Sequence, residues 1–196
     1  MHRVLPFLTF LRFSLVFFLL TALACPAFSE DIQTLIKNAE GGDPNAQFNL
    51  GVAYGKGEGV PQDYAESMKW YRMAAEQGLA EAQNNLGIAY ATGQGVPKDD
   101  AESMKWFRMA AEQGHAGAQC ILGISYSIGQ GVPQDYLLAY FWTSLASKST
   151  TCGSDTRGAN YFYMDYTANA ARQLTPEQLM KAQQMTREWE EKHPRK

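Results

Sequence analysis

The chain has few of the residues that mark metal, redox or nucleic-acid chemistry. Its 196 residues include three cysteines and three histidines. These are scattered singly, so neither C-x-x-C nor H-E-x-x-H spacing occurs, and the spacing of a zinc cluster is excluded. Lys and Arg together number 17 against 20 Asp and Glu, a net charge of -3, and no block of five or more like charges occurs. Nucleic acid and anionic membranes both require a concentrated basic face, which this chain lacks. No cofactor and no metal are expected. What is present is a globular composition: 45% hydrophobic and 12% aromatic residues are enough to bury a core, at a length typical of one domain.

Residues 1–29 read as an address. They carry His2 and Arg3 near the start, an apolar run from Phe13 to Cys25, and no acidic residue. The run is about a dozen residues, short of the roughly 20 that a spanning helix needs, so a secretory signal peptide is expected rather than an anchor. Ala27 and Ser29 satisfy the small-x-small rule for cleavage after Ser29, leaving a mature start at Glu30. The alternative is lipoprotein-type cleavage before Cys25, disfavoured because Ala22 stands where that box carries a large aliphatic. The expected location is periplasmic or secreted, with no membrane span once the segment is removed. Cys120 and Cys152 then remain in an oxidising compartment, where they either form one disulfide or stay idle thiols.

Displaced by 36 residues, the sequence matches itself. Gly51, Gly87 and Gly123 align, as do Tyr54/Tyr90/Tyr126, Pro61/Pro97/Pro133, Asp63/Asp99/Asp135 and Trp70/Trp106/Trp142. The block A-E-S-M-K-W recurs unchanged at Ala65–Trp70 and Ala101–Trp106. Such a period belongs to helical-pair solenoids. The units are 43–78, 79–114 and 115–150, preceded by a half-unit at 30–42 and followed by a helical extension over 151–196.

Each unit predicts two helices. Asp43-Pro44 supplies an N-cap and first turn for helix A, whose apolar positions Ala46, Leu50, Ala53 and Tyr54 fall on one face. The G-x-G-V-P segment ends it. Asp63 caps helix B, with Glu66 positioned to complete a capping box, and Gly78 stops it. Helix B carries Ala65, Met68, Tyr71 and Ala75 on one stripe, widened by Trp70 and Ala74. The missing side chains at Gly51, Gly87 and Gly123 let the helix axes approach closely. In the extension, Ser154 to Arg172 predicts a helix, and Thr175-Pro176-Glu177-Gln178 a capping box for a last helix through Trp189.

The pattern A-x-x-x-L-G-x-x-Y-x-x-G-x-G-V-x-x-D-x-x-x-A-x-x-W-[YF]-x-x-A-A-E-Q-G, met at Ala46–Gly78 and Ala82–Gly114, resembles the Sel1-like repeat, a relative of the tetratricopeptide repeat. The third copy matches as far as Asp135 and then departs, with Leu137, Tyr140, Thr143 and Ser147 at otherwise repeated positions. The resemblance implies an all-α fold, a right-handed α-solenoid of helix-turn-helix repeats with a C-terminal helical cap. It also implies binding of a partner protein or peptide through the curved surface, export or host-contact roles common in bacteria, and no catalytic residues. Cysteine-rich relatives have been associated with β-lactam binding. Serine β-lactamase chemistry needs S-x-x-K, which is absent; Ser67 and Ser103 stand two residues before Lys69 and Lys105, on different faces of helix B.

Three further features admit structural readings. The glycine loops join two helices rather than a strand and a helix, so they are turns, not phosphate cradles. His115 has no ligand partner at metal spacing and is expected as a solvated surface residue. The acids at the helix-B starts are explained by capping and the helix dipole. A binding surface is read instead from helix-A positions that vary while the packing positions repeat. Helix A lines the concave side of such solenoids. The candidate partner-binding residues there are Asn45, Phe48, Asn49, Val52, Glu81, Asn84, Asn85, Ile88 and Ile124. The asparagines offer donors and acceptors to a peptide backbone, and Phe48 and Ile88 offer apolar contact.

Overall fold

The computed structural model describes residues 26–148 and 159–194, and all regular structure among them is helical. Nine helices follow in order: α1 Pro26–Glu40, α2 Pro44–Lys56, α3 Tyr64–Glu76, α4 Ala80–Thr92, α5 Asp100–Glu112, α6 Ala116–Ile128, α7 Tyr136–Ser147, α8 Ala159–Gln173 and α9 Pro176–Lys192. From α1 to α8 each helix packs on the next, and α9 returns to pack on α7. This is the α-solenoid that the 36-residue period predicts. Residues 1–25 of the expected signal segment lie outside the described residues. The bond after Ser29, where cleavage is expected, falls within α1.

The caps follow the sequence closely. Asp43 Oδ1 accepts from the Asn45 amide at 3.0 Å, Asp63 Oδ1 from Glu66 at 3.0 Å, and Asp99 Oδ1 from Glu102 at 2.9 Å. The expected box at Asp63 stays half-made, because the Glu66 side chain pairs with Lys69 instead of returning to the backbone. In α9 the box is complete, with Thr175 and Gln178 bonded reciprocally. Ala65, placed on the buried stripe of helix B by its spacing, is exposed in the first turn of α3, whereas Ser67 is buried.

Within a repeat, helices A and B meet at the predicted glycines. A Cβ on Gly51 would lie 2.7 Å from the Tyr71 ring, one on Gly87 2.7 Å from the Phe107 ring, and one on Gly123 2.4 Å from Thr143 Cγ2. Beside each of the first two contacts a serine hydroxyl donates across the pair, Ser67 to the Gly51 carbonyl at 2.6 Å and Ser103 to the Gly87 carbonyl at 2.7 Å.

Between repeats, apolar packing is joined by a polar ladder that was not anticipated from the sequence. Buried Gln47, Gln83 and Gln119 each donate through Nε2 to the carbonyl of Ala39, Ala75 or Ala111, near the end of the preceding helix B, at 3.1 Å. Gln77 and Gln113 donate in turn to the Oε1 atoms of Gln47 and Gln83. The Gln47–Ala39 bond shows that α1 occupies the place of a helix B ahead of the first repeat, with Ile32, Leu35 and Ile36 packed against Ala46 and Leu50. Arg72 and Arg108 reach forward to the hydroxyls of Tyr90 and Tyr126.

The loops are also inter-repeat joints. Gly93 ends α4 in the left-handed conformation, and its amide and that of Gln94 both bond the Ala89 carbonyl. Gly95, at φ +75°, lies so close to the start of α3 that a Cβ would sit 2.4 Å from the Tyr64 carbonyl oxygen. Only glycine meets both conditions.

The third repeat departs from the pattern because α9 covers it. On the outer face of helix B, the first two repeats carry Lys69, Arg72, Met73 and Glu76, and Lys105, Arg108, Met109 and Glu112; the third carries Phe141, Ser144, Leu145 and Lys148. Met73 and Met109 are 43% and 44% exposed, while Leu145 is 6% exposed, with Met185 and Trp189 packed against its cluster. Lys148 Nζ pairs with Glu190 at 2.6 Å. Cys120, buried against Ala146, is disulfide-bonded. Cys152, its expected partner, lies outside the described residues.

Candidate partner-binding face

Among the described residues no group of His, Cys, Asp or Glu is arranged to hold a metal. The serines that precede lysines are spent on structure. Ser67 and Ser103 are buried and bonded to carbonyls, while Lys69 and Lys105 are exposed and paired with Glu66 and Glu102. In the glycine loops the amides of Gly57, Glu58, Gly93, Gln94, Gly129 and Gln130 are bonded back to the last turn of the preceding helix.

The helix-A face carries a cleft of about 440 Å³ between α2 and α4, floored by α3. Val52, Gly55 and Lys56 form one wall, Asn85, Ile88 and Ala89 the other, with Ser67, Met68 and Tyr71 beneath and Tyr64 and Gln94 at the rim. Ile88 is 40% exposed, an aliphatic side chain left unburied in the middle of the array. Phe48 is not among the lining residues; it is half-buried, its ring 5.6 Å from that of Tyr71. Burial pushes the Tyr71 phenol above its ordinary value, and hydrogen bonding from Asn85 and Ser67 pulls part of that back.

Six of the nine predicted residues gather at three places. Val52, Asn85 and Ile88 line this cleft together. Asn49 joins Val52 in an adjoining recess of about 300 Å³ against Ile32 and Leu35 of α1, with Asp31 and Glu58 at its edge. Glu81 lies elsewhere, in a depression of about 510 Å³ at the N-terminal ends of α4 and α6 shared with His115 and Gly117. Asn84 is near it: its Oδ1 is buried without a hydrogen-bond partner, 3.7 Å from where a Cβ on Gly117 would stand. Asn45 is exposed in the first turn of α2, and Ile124 is half-buried on α6.

His115 differs from expectation. It is half-buried and caps α6, its Nδ1 accepting from the Ala118 amide at 3.2 Å. Burial lowers its pKa from the ordinary value, against a raising influence from the Glu81 carboxylate. The sequence signal was its register, since His115 falls where Asp43 caps the first repeat.

Tyr71, Met68, Ser67, Lys56, Tyr64 and Gln94 were missed as lining residues. A signal for Tyr71 did exist. Over Ala65–Gly78 and Ala101–Gly114 the two repeats differ at one position, where Tyr71 becomes Phe107. The residue facing it in the following helix A changes with it, from Asn85 to Ile121.

The Sel1 repeat model matches residues 44–79, 80–115 and 116–150. Among solved structures, the chain is 40% identical to a Sel1 repeat protein from Oxalobacter formigenes, with a TM-score of 0.60 over 69% of this chain and 98% of that one. It is 32% identical to a protective antigen present in uropathogenic Escherichia coli strains and displaying an SLR fold, with a TM-score of 0.62 over 82% of this chain and 41% of that one. Among the curated proteins none matches. Repeats of this kind generally mediate protein–protein interaction, and the fold is a scaffold that is not typically enzymatic. With three consecutive repeats matched over more than half of its length, the chain belongs to the Sel1 repeat family.

Proposed function

We propose that the protein is an exported, non-enzymatic adaptor that binds a partner protein or peptide through the helix-A face of its repeats. The observation that carries this is the cleft between α2 and α4, where Val52, Asn85 and Ile88, all variable within the repeat pattern, come together with an aliphatic side chain left open to solvent. The outer face of the first two repeats is a poorer candidate, because Met73 and Met109 are single apolar residues among Lys, Arg and Glu. The N-terminal apolar segment supports export to the periplasm or beyond, with a mature start at Glu30. The disulfide at Cys120 fits an oxidising compartment. No helix among the described residues is long and apolar enough to cross a membrane.

Affinity capture from envelope and culture-medium fractions tests the reading, with the parent run beside an Asn49→Ala/Asn84→Ala/Asn85→Ala variant of equal helicity. A partner held by the parent and lost by the variant is the expected result. A partner held equally by both moves the site off this face. Nitrocefin turnover above blank would overturn the non-enzymatic assignment. An intact mass beginning at an acylated Cys25 would replace soluble export with lipid anchoring.

A further inference from the structure

The helix-B stretches Ala65–Gly78 and Ala101–Gly114 at the two junctions between repeats differ only at Tyr71/Phe107, and among the helix-A differences the residue facing that position changes with it, from Asn85 to Ile121. At the first, Tyr71 and Asn85 face each other in the floor and wall of the cleft. At the second, the same register holds Phe107, 1% exposed, and Ile121, packed on the core. The second junction shows that packing is achieved without a hydroxyl or an amide. Keeping polar groups at the first costs desolvation that the fold does not require.

We propose that this cleft is the anchor pocket for an extended segment of a partner protein, seating one aliphatic side chain flanked by an acidic residue. The proposal rests on the helix-A face being the partner-binding face. Val52 and Ile88 supply apolar walls for the side chain and Met68 an apolar floor. An asparagine amide has two donors and two acceptor lone pairs, so an interaction with the Tyr71 hydroxyl would still leave capacity for a backbone amide. That capacity selects an extended segment, since the backbone groups of a helix are consumed by its own i→i−4 bonds. Lys56 is the one charged residue in the lining. Its neighbour Glu58 lies 3.6 Å away, with both side chains about 60% exposed, and such a solvated pair is readily exchanged for a ligand carboxylate.

The test uses protein processed from the complete chain, panned against a phage-displayed random peptide library, with enriched peptides measured by fluorescence anisotropy. The expected consensus is an aliphatic residue beside Asp or Glu. The Tyr71→Phe/Asn85→Ile double variant installs the pairing already used one repeat on, so its helicity and melting temperature should match the parent while affinity falls about tenfold or more. Lys56→Gln should weaken binding and flatten its salt dependence. Failure of any sequence to enrich, or equal binding by parent and double variant, overturns the proposal. Ile124→Ser, on the same face outside the cleft, separates the two levels: release by this variant but not by the double one removes the cleft and keeps the face, and indifference to both removes each.

Discussion

Gly87→Ala places a methyl group where the repeat leaves no room, and its effect can be worked from the distances. In the middle of an exposed helix this change stabilises by about 1 kcal/mol, since glycine is the poorer helix former. Here the new Cβ would stand 2.7, 2.8 and 2.9 Å from three ring carbons of Phe107, whereas carbon atoms rest at about 3.5–4.0 Å. Relief requires roughly 1 Å of separation between α4 and α5. Phe107 cannot retreat, because it is 1% exposed and packed among Met104, Ala110, Ala111, Ala118 and Leu122. Separation also stretches the 2.7 Å bond from the Ser103 hydroxyl to the Gly87 carbonyl. Overpacking of this kind costs about 1–3 kcal/mol and a weakened buried hydrogen bond about 1 more. After the helix-propensity gain, a net loss of about 1–3 kcal/mol remains. At about 2–4 °C per kcal/mol for a chain of this size, the melting temperature falls by roughly 2–12 °C.

Circular dichroism melts of parent, Gly87→Ala and Gly55→Ala provide the comparison. Gly55 is also helical, but its new Cβ would meet only Ser67 Oγ at 3.2 Å, and the next repeat already carries Ala91 at that register. Gly55→Ala should therefore be neutral or slightly stabilising. A Gly87→Ala melt equal to or above the parent would refute the claim that glycine sets the spacing of helices A and B.

His115 binds fewer protons folded than unfolded between its lowered pKa and the ordinary imidazole value of 6.5, so its contribution to stability is lost as pH falls through that window. His115→Asn keeps a capping side chain without the titration and should lose less stability between pH 7.5 and 5 in urea unfolding; an unchanged pH slope contradicts the assignment. Gln83→Leu removes a buried amide that bonds the Ala75 carbonyl and receives Gln113; a loss of about 1–3 kcal/mol is expected by the same method, and a neutral result would mean that the glutamine ladder does not hold repeats together. Leu145→Lys restores the charged character of the outer face and should release α9, read as faster tryptic cleavage after Lys181 and Arg187 with the first two repeats still folded.

The helices and their order could be read from the sequence because three copies of one pattern cross-check each other. Each cap at Asp63, Asp99 and Asp135, and each stop at Gly57, Gly93 and Gly129, was legible three times over. The glutamines at 47, 83 and 119 were equally repeated, yet their role was hidden. A polar residue at helical spacing looks solvated until its neighbour's carbonyl is known, and that carbonyl belongs to the preceding unit. His115 was misread for a related reason: a cap is recognised by residue type, and histidine is an unusual one. The site was legible only in part. Variation within the repeat marked Val52, Asn85 and Ile88, but its floor is built from helix B, where the near-identity of two repeats pointed to packing alone.

The departures from the repeat show where a solenoid of identical units would fail. A helix-B outer face bearing Lys, Arg, Met and Glu offers α9 little apolar surface, so the third unit exchanges that stripe for Phe141, Ser144, Leu145 and Lys148, of which Phe141 and Leu145 are buried and Lys148 pairs with Glu190 of α9. That exchange is explained by covering the end of the array, as stacked repeats require. The exchange of Tyr71 and Asn85 for Phe107 and Ile121 has no such explanation, because both junctions are internal and both are packed. One departure is needed to close the solenoid, the other is not, and the second lies in the cleft on the helix-A face that gathers Val52, Asn85 and Ile88.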